Sequence, residues 1–262
     1  MAKNKDTLIK ENKYVKELLA IMKANRIAGT KDLLAIISHV GAVENRLAGM
    51  ENELKAMRRE LETMRNGNNP QRKALQSVIS ALQERISKLR EQLNMLKQNI
   101  IDGSKNAVAA FKEKGLSALR NVADFLHIRP GLEALRNNLD YGIRRDDAAI
   151  EKINAVSAQY HEAGRHIRNI GRTITGKEQI QEAKPSGKLA KTVEAPYKAS
   201  RACLATVRRS VNAALGAVAR LEKTERKPPV MDTLKKINDN IKQTQRAAPN
   251  VVRLRPVARD ER

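Results

Sequence analysis

Few side chains in this sequence could do chemistry, and their spacing decides what they could do. His161-Glu162-Ala163-Gly164-Arg165-His166 has the outline of a helical zinc-hydrolase motif, but its histidines stand five apart. On an α-helix that puts them on different faces, whereas chelation of one metal needs a pair four apart. Asp146-Asp147 is a carboxylate pair, yet adjacent helical side chains diverge by about 100°. It reads as a solvated acidic spot and not as an acid/base dyad. Cys203 lies near Arg201, a cation able to lower a thiol pKa. A lone cysteine on an Ala-rich helical face reads instead as partly buried and inert. One cysteine excludes an intramolecular disulfide, and with four histidines it leaves no Cys-based zinc site. No Gly-rich phosphate loop is present. The expectation is a non-enzymatic protein with no cofactor and no metal.

The basic residues carry more. The 262 residues hold 51 Lys plus Arg against 29 Asp plus Glu, a net charge of +22. The excess is densest in the second half. His161, Arg165, Arg168 and Arg172 are spaced 4, 3, 4 and share one helical stripe. Lys184, Lys188, Lys191, Lys198, Arg201, Arg208 and Arg209 extend the region. Such a stripe suits the phosphates of a polyanion and predicts salt-dependent binding. The candidate nucleic-acid-binding set is Arg165, Arg168, Arg172, Lys188, Lys191, Arg208 and Arg209. Against it stands a solvated face that only confers solubility. Aromatics are 2% of the chain, with no Trp, so base stacking has few platforms. Backbone contacts are favoured over base readout.

Ile100-Ile101-Asp102-Gly103-Ser104-Lys105-Asn106-Ala107-Val108-Ala109-Ala110-Phe111-Lys112, Glu162-Ala163-Gly164-Arg165-His166-Ile167-Arg168-Asn169-Ile170-Gly171-Arg172 and Gly187-Lys188-Leu189-Ala190-Lys191 resemble an uncharacterised domain-of-unknown-function family. Its members are encoded on conjugative and integrative elements of gut bacteria. The resemblance covers most of the chain and carries over no catalytic or binding residue. It implies a context: a mobile-element accessory protein, a class that aids transfer or disarms host defence.

Helices must position these side chains. Leu33, Ile36, Val40, Val43, Leu47, Met50, Leu54, Met57, Leu61 and Met64 alternate by 3 and 4, an unbroken a/d heptad seam. Asn66 to Pro70 supplies a turn. Leu75, Ile79, Leu82, Ile86, Leu89, Leu93, Leu96 and Ile100 form the second seam. The pair predicts an antiparallel coiled-coil hairpin over 30–102, after an N-terminal helix from about Asp6 within 1–29. Thr30 is the expected N-cap of the first arm.

Asp102-Gly103-Ser104 marks a predicted break before a helix from Ser104 to His127. Val108, Phe111, Leu119, Val122 and Phe125 make that helix a small packed hub. A second long helical hairpin completes 103–229. Its first arm is expected to turn Ile143, Ile150, Ile153, Val156, Tyr160, Ile167, Ile170 and Ile174 inward, with Asp146 interrupting the pattern. Residues 176–188 read as a loop. Pro196 should kink the last arm or delay its start. A short helix over 230–244 and a disordered basic tail over 245–262 close the chain. The fold class is all-α, with no alternating strand pattern.

No signal peptide or spanning segment is evident, which predicts a soluble cytoplasmic protein. The leading expectation is a binding protein for DNA, RNA or a nucleoprotein complex, in one version an anti-CRISPR-like inhibitor of a host nucleic-acid-guided nuclease. The rival is a scaffold whose 30–102 hairpin pairs with a protein partner or with another copy of itself. Attachment to a membrane is not expected, because exposed Trp or Phe does not flank the basic stripe.

Overall fold

The computed structural model describes residues 8–63, 70–122, 126–174, 177–181 and 187–225, together with Asn238 and Ile241. The chain divides into two units, Met1–Thr224 and Glu225–Arg262, and the first holds the long helices. Most of the expected short helix at 230–244, the tail, residues 66–69 of the turn and 182–186 of the loop lie outside the described residues, as do Met64, Phe125 and Lys184.

Every regular element among the described residues is helical: α1 (Lys13–Ala24), α2 (Thr30–Thr63), α3 (Pro70–Lys114), α4 (Ile128–Ile174) and α5 (Lys188–Glu225), with short 3-10 turns at Ile9–Glu11 and Gly115–Asn121. The heptad seams form α2 and α3. Their apolar positions, from Leu33 to Leu61 and from Leu75 to Ile100, are buried apart from the half-buried Met57. Glu44 meets Lys97 at 2.5 Å, and Glu51 meets Arg90. As one number rises the other falls, so the arms are antiparallel.

Two hairpins then close into one bundle. Leu96 abuts Gly131, and Arg85 reaches Gly142 and Asp146, so α3 and α4 run antiparallel. Between α4 and α5 the rungs are Arg129–Glu222, Asp140–Arg208, Asp147–Arg201 and Asn154–Glu194. Between α5 and α2 they are Arg220–Asp32 and Arg46 with Thr206 and Ser210. Each neighbouring pair is antiparallel, which is the up-down-up-down topology of a four-helix bundle. Leu204, Val207, Val211, Ala214, Val218 and Leu221 of α5 are buried in the same core as the α2 and α3 seams.

Several expectations need correction. α3 does not break at Asp102-Gly103-Ser104 but continues to Lys114. The seam simply changes size: after Ile100, the next buried positions include Gly103, Ser104, Ala107 and Val108, small residues that let α1 pack close. Lys112 there pairs with Glu17 of α1 at 2.8 Å. A domain boundary at 102 therefore falls inside a helix. The first helix starts at Lys13 and not at Asp6, because the Asn12 side chain accepts the Tyr14 amide as an N-cap, at 3.0 Å. Thr30 is not the N-cap of α2 but its first residue, and its hydroxyl donates to the Ile27 carbonyl. Gly29 precedes it with φ +90, and a Cβ there would sit 2.5 Å from Leu221 Cδ1. Both the backbone and the close approach require glycine. α5 runs unbroken from Lys188 through a buried Pro196.

The largest correction concerns α4. Val156, Tyr160, Ile167, Ile170 and Ile174 do not turn inward; they are 59–80% exposed. The rungs explain why. Asn154 stands opposite Glu194, which puts the start of α5 near residue 160 of α4. Arg85 opposite Asp146 likewise puts the start of α3 near that level. Beyond it α4 continues to Ile174 with no helix alongside among the described residues, for about 21 Å at 1.5 Å per residue.

Candidate nucleic-acid interface

The inward face of α5 is apolar, so its cations are pushed to the other faces. Taking 100° per residue, Lys191, Lys198, Arg209, Arg220 and Lys223 fall within an arc of about 60° and span about 48 Å of helix. All five are exposed. Lys198 is paired with Glu194 at 2.9 Å and Arg220 with Asp32 at 2.8 Å. Lys191, Arg209 and Lys223 make no ion pair among the described residues. Glu194, at the edge of the arc, is buried, and its carboxyl is held below the usual range by hydrogen bonds from Lys198 and Asn154. The arc itself therefore carries no acidic side chain. Rows of pairs flank it. Arg201 and Arg208 bind Asp147 and Asp140 of α4, and Arg46 on α2 bonds Thr206 and Ser210.

The expected binding residues divide accordingly. Lys191 and Arg209 stand on this ridge. Arg208 is turned toward α4 by Asp140, at 3.0 Å. The Lys188 side chain lies outside the described residues. Arg165, Arg168 and Arg172 sit on the overhang of α4, and two of them hold the chain itself. Arg165 donates to the Ile180 carbonyl at 3.2 Å and to Glu162; each member of that pair stabilises the charged form of the other. Arg172 donates to the Glu178 carbonyl. Arg168 is exposed and donates to the Gly164 carbonyl at 3.0 Å. Charge density along the sequence places Lys198 in the basic region but does not reach Arg220 and Lys223. Spacings of 7, 11, 11 and 3 along one helix are the signal that locates them.

Between the two strapping arginines, Asn169 is 6% exposed. Its amide donates to the Ile180 carbonyl at 2.9 Å, and its oxygen accepts the Ile180 N–H at 2.8 Å. Residues 177–181 are thus tied back onto α4. Replacing Asn169 with Ala removes a buried acceptor worth about 1–3 kcal/mol. Exchange of the Ile180 amide, followed by hydrogen–deuterium NMR, is expected to quicken at least about tenfold; unchanged protection would mean that the arginines alone hold the segment.

The other reactive side chains are set apart from one another. His161 lies beside Gly187, whereas His166 pairs with Glu162 at 3.4 Å, so the two face apart. Among the described residues no cluster of His, Cys, Asp or Glu is arranged to hold a metal ion. Asp146 and Asp147 do not form a solvated acidic spot. Asp146 is fully buried against Arg85, and Asp147 pairs with Arg201 at the surface. Burial pushes the Cys203 thiol up; the cation that opposes this is Arg46, not Arg201. No helix among the described residues is long and apolar enough to cross a membrane.

A family model described as a family of unknown function matches residues 11–255. No curated protein and no solved structure matches the chain.

Proposed function

The chain belongs to DUF6674, which supplies no activity to carry over, and from its geometry we propose that it is a non-enzymatic binding protein whose α5 ridge engages the phosphates of DNA, RNA or a nucleoprotein complex. The observation that supports this is the line of five cations on an arc free of acidic side chains. Each phosphate neutralised releases condensed counterions, so such a ridge draws its affinity from entropy and loses it with salt. No aromatic residue interrupts the ridge, and the exposed tyrosines, Tyr141 and Tyr160, stand on α4. Contacts to the backbone then dominate over stacking on bases. We place the protein in the accessory set of a bacterial mobile element. There, occupying the nucleic-acid channel of a host guided nuclease is one use of a long basic ridge.

The scaffold alternative on the 30–102 hairpin has less apolar surface to use. Among the described residues, the large apolar side chains left exposed there are Leu34 and Met95, on different helices and at different levels.

Fluorescence anisotropy with labelled duplex and single-stranded DNA and RNA, across a salt series, tests the reading. The logarithm of affinity is expected to fall with log salt at a slope of about −3 on duplex, near 0.9 for each of Lys191, Arg209 and Lys223. Absence of binding to all four probes at low salt removes direct nucleic-acid binding.

A further inference from the structure

We propose that the exposed seam on the overhang of α4 pairs two copies of this chain, antiparallel, about a two-fold axis that crosses the seam at the level of residue 165. The seam is Val156, Tyr160, Ala163, Ile167, Ile170 and Ile174, spaced 4, 3, 4, 3, 4, the a/d rhythm of a coiled coil. The five large members are 59–80% exposed. The opposite face of the same stretch is taken by the 177–181 segment through Asn169, Arg165 and Arg172. Among the described residues, the seam itself faces no other helix of its bundle.

Three features argue for a second copy. The positions bordering the seam are Ser157, Gln159, Gly164, His166, Gly171 and Thr173, with no Lys, Arg, Asp or Glu among them. Two chains of +22 can approach along these borders without juxtaposed like charges, and the one cation in line with the seam, Lys152, lies a turn before Val156 at its end. Antiparallel pairing also balances volume. It sets Ile174 against Val156, Ile170 against Tyr160 and Ile167 against Ala163 of the other copy. A parallel pair would set alanine on alanine and tyrosine on tyrosine. Finally, the five side chains present on the order of 500 Å² of apolar surface, the size of patch that marks an interaction site. Doubled in a symmetric pair it reaches about 1,000 Å², the threshold of a specific interface. Gly164 and Gly171 on its border let the backbones come close.

Sedimentation of the full chain, freed of nucleic acid by nuclease and high salt, tests the pairing over a dilution series. The wild type is expected to be a concentration-dependent dimer, and Ile167→Glu/Ile170→Glu a monomer with unchanged helical circular dichroism and melting. Both side chains are exposed, so the fold has no need of them. A wild type that stays monomeric at the highest concentration, or a double variant that still dimerises, overturns the proposal. So does a dimer that forms only when nucleic acid is restored. Orientation is read from Gly164→Cys in a Cys203→Ser background. A Cβ at 164 meets nothing closer than 4.0 Å, and in the antiparallel register the two new thiols face each other across the axis. Rapid oxidation to a covalent dimer is expected; a reversible dimer whose thiols do not cross-link overturns the antiparallel arrangement. The pairing is separate from the α5 ridge, and charge reversal on that ridge is expected to leave it intact.

Discussion

Replacing Arg85 with Met is expected to destabilise the bundle by about 3–5 kcal/mol, the cost of leaving a buried charge without its partner. Asp146 is 0% exposed. Its Oδ1 accepts from Arg85 at 2.5 Å, and its Oδ2 has no hydrogen-bond partner. Arg85 also donates to the Gly142 carbonyl at 3.2 Å. The carboxylate therefore relies on one guanidinium for its charge. Desolvating both ions is costly, so the pair as a whole adds little net stability while either half alone is harmful. Hence the double variant Arg85→Met/Asp146→Leu is expected to regain at least the wild-type stability. Urea unfolding followed by circular dichroism measures both. A loss under about 1 kcal/mol in the single variant would show that water reaches Asp146 and shares its charge.

Reversing the three ridge cations that have no ion pair among the described residues, as Lys191→Glu/Arg209→Glu/Lys223→Glu, is expected to abolish measurable nucleic-acid binding. Neutral versions at the same sites should cut the salt slope on duplex by nearly three, at about 0.9 per lost phosphate contact. None of the three side chains holds the bundle together, so the melting temperature should stay within a few degrees of wild type. The matched control reverses Lys10, Lys13 and Lys23, cations of the N-terminal region outside the ridge. If that control weakens binding equally, the affinity belongs to net charge and not to α5. A further comparison, Arg168→Glu on α4, distinguishes the ridge from the overhang: little change is expected there.

The heptad spacing makes α2 and α3 legible, because a strict 3-4 alternation has one geometric solution. Single buried residues outside that rhythm, such as Ile9 and Ile37, leave no such trace. Spacing tells which residues share a face but not what the face meets. That is why α4 misleads. Its isoleucines after residue 156 share a face as expected, yet α3 and α5 start near the level of residue 160, so among the described residues no helix covers it. The same limit governs the basic stripe. Arg165 and Arg172 lie on one face, and that face meets backbone carbonyls of the chain's own 177–181 segment. The break expected at Asp102-Gly103 comes from treating Gly as punctuation, where small residues instead admit α1 to the flank of α3. The α5 ridge is only half visible in the sequence, since its members are far apart and only the full length of an uninterrupted helix aligns them.

The rungs between α2 and α5 join residues 160 to 188 positions apart, and this sets an order of events during synthesis. The α2–α3 hairpin needs only its own seam and closes early, within the first half of the chain. The bundle cannot close until α5 has left the ribosome. Until then the α2 and α3 faces that α5 will cover are bare, and their exposure lasts as long as translation of the remaining residues, several seconds at about 5–20 residues per second. Chains cut short anywhere before α5 keep those faces open, making them targets for chaperones and proteases. Arrival of α5 is thus the step that closes the four-helix bundle.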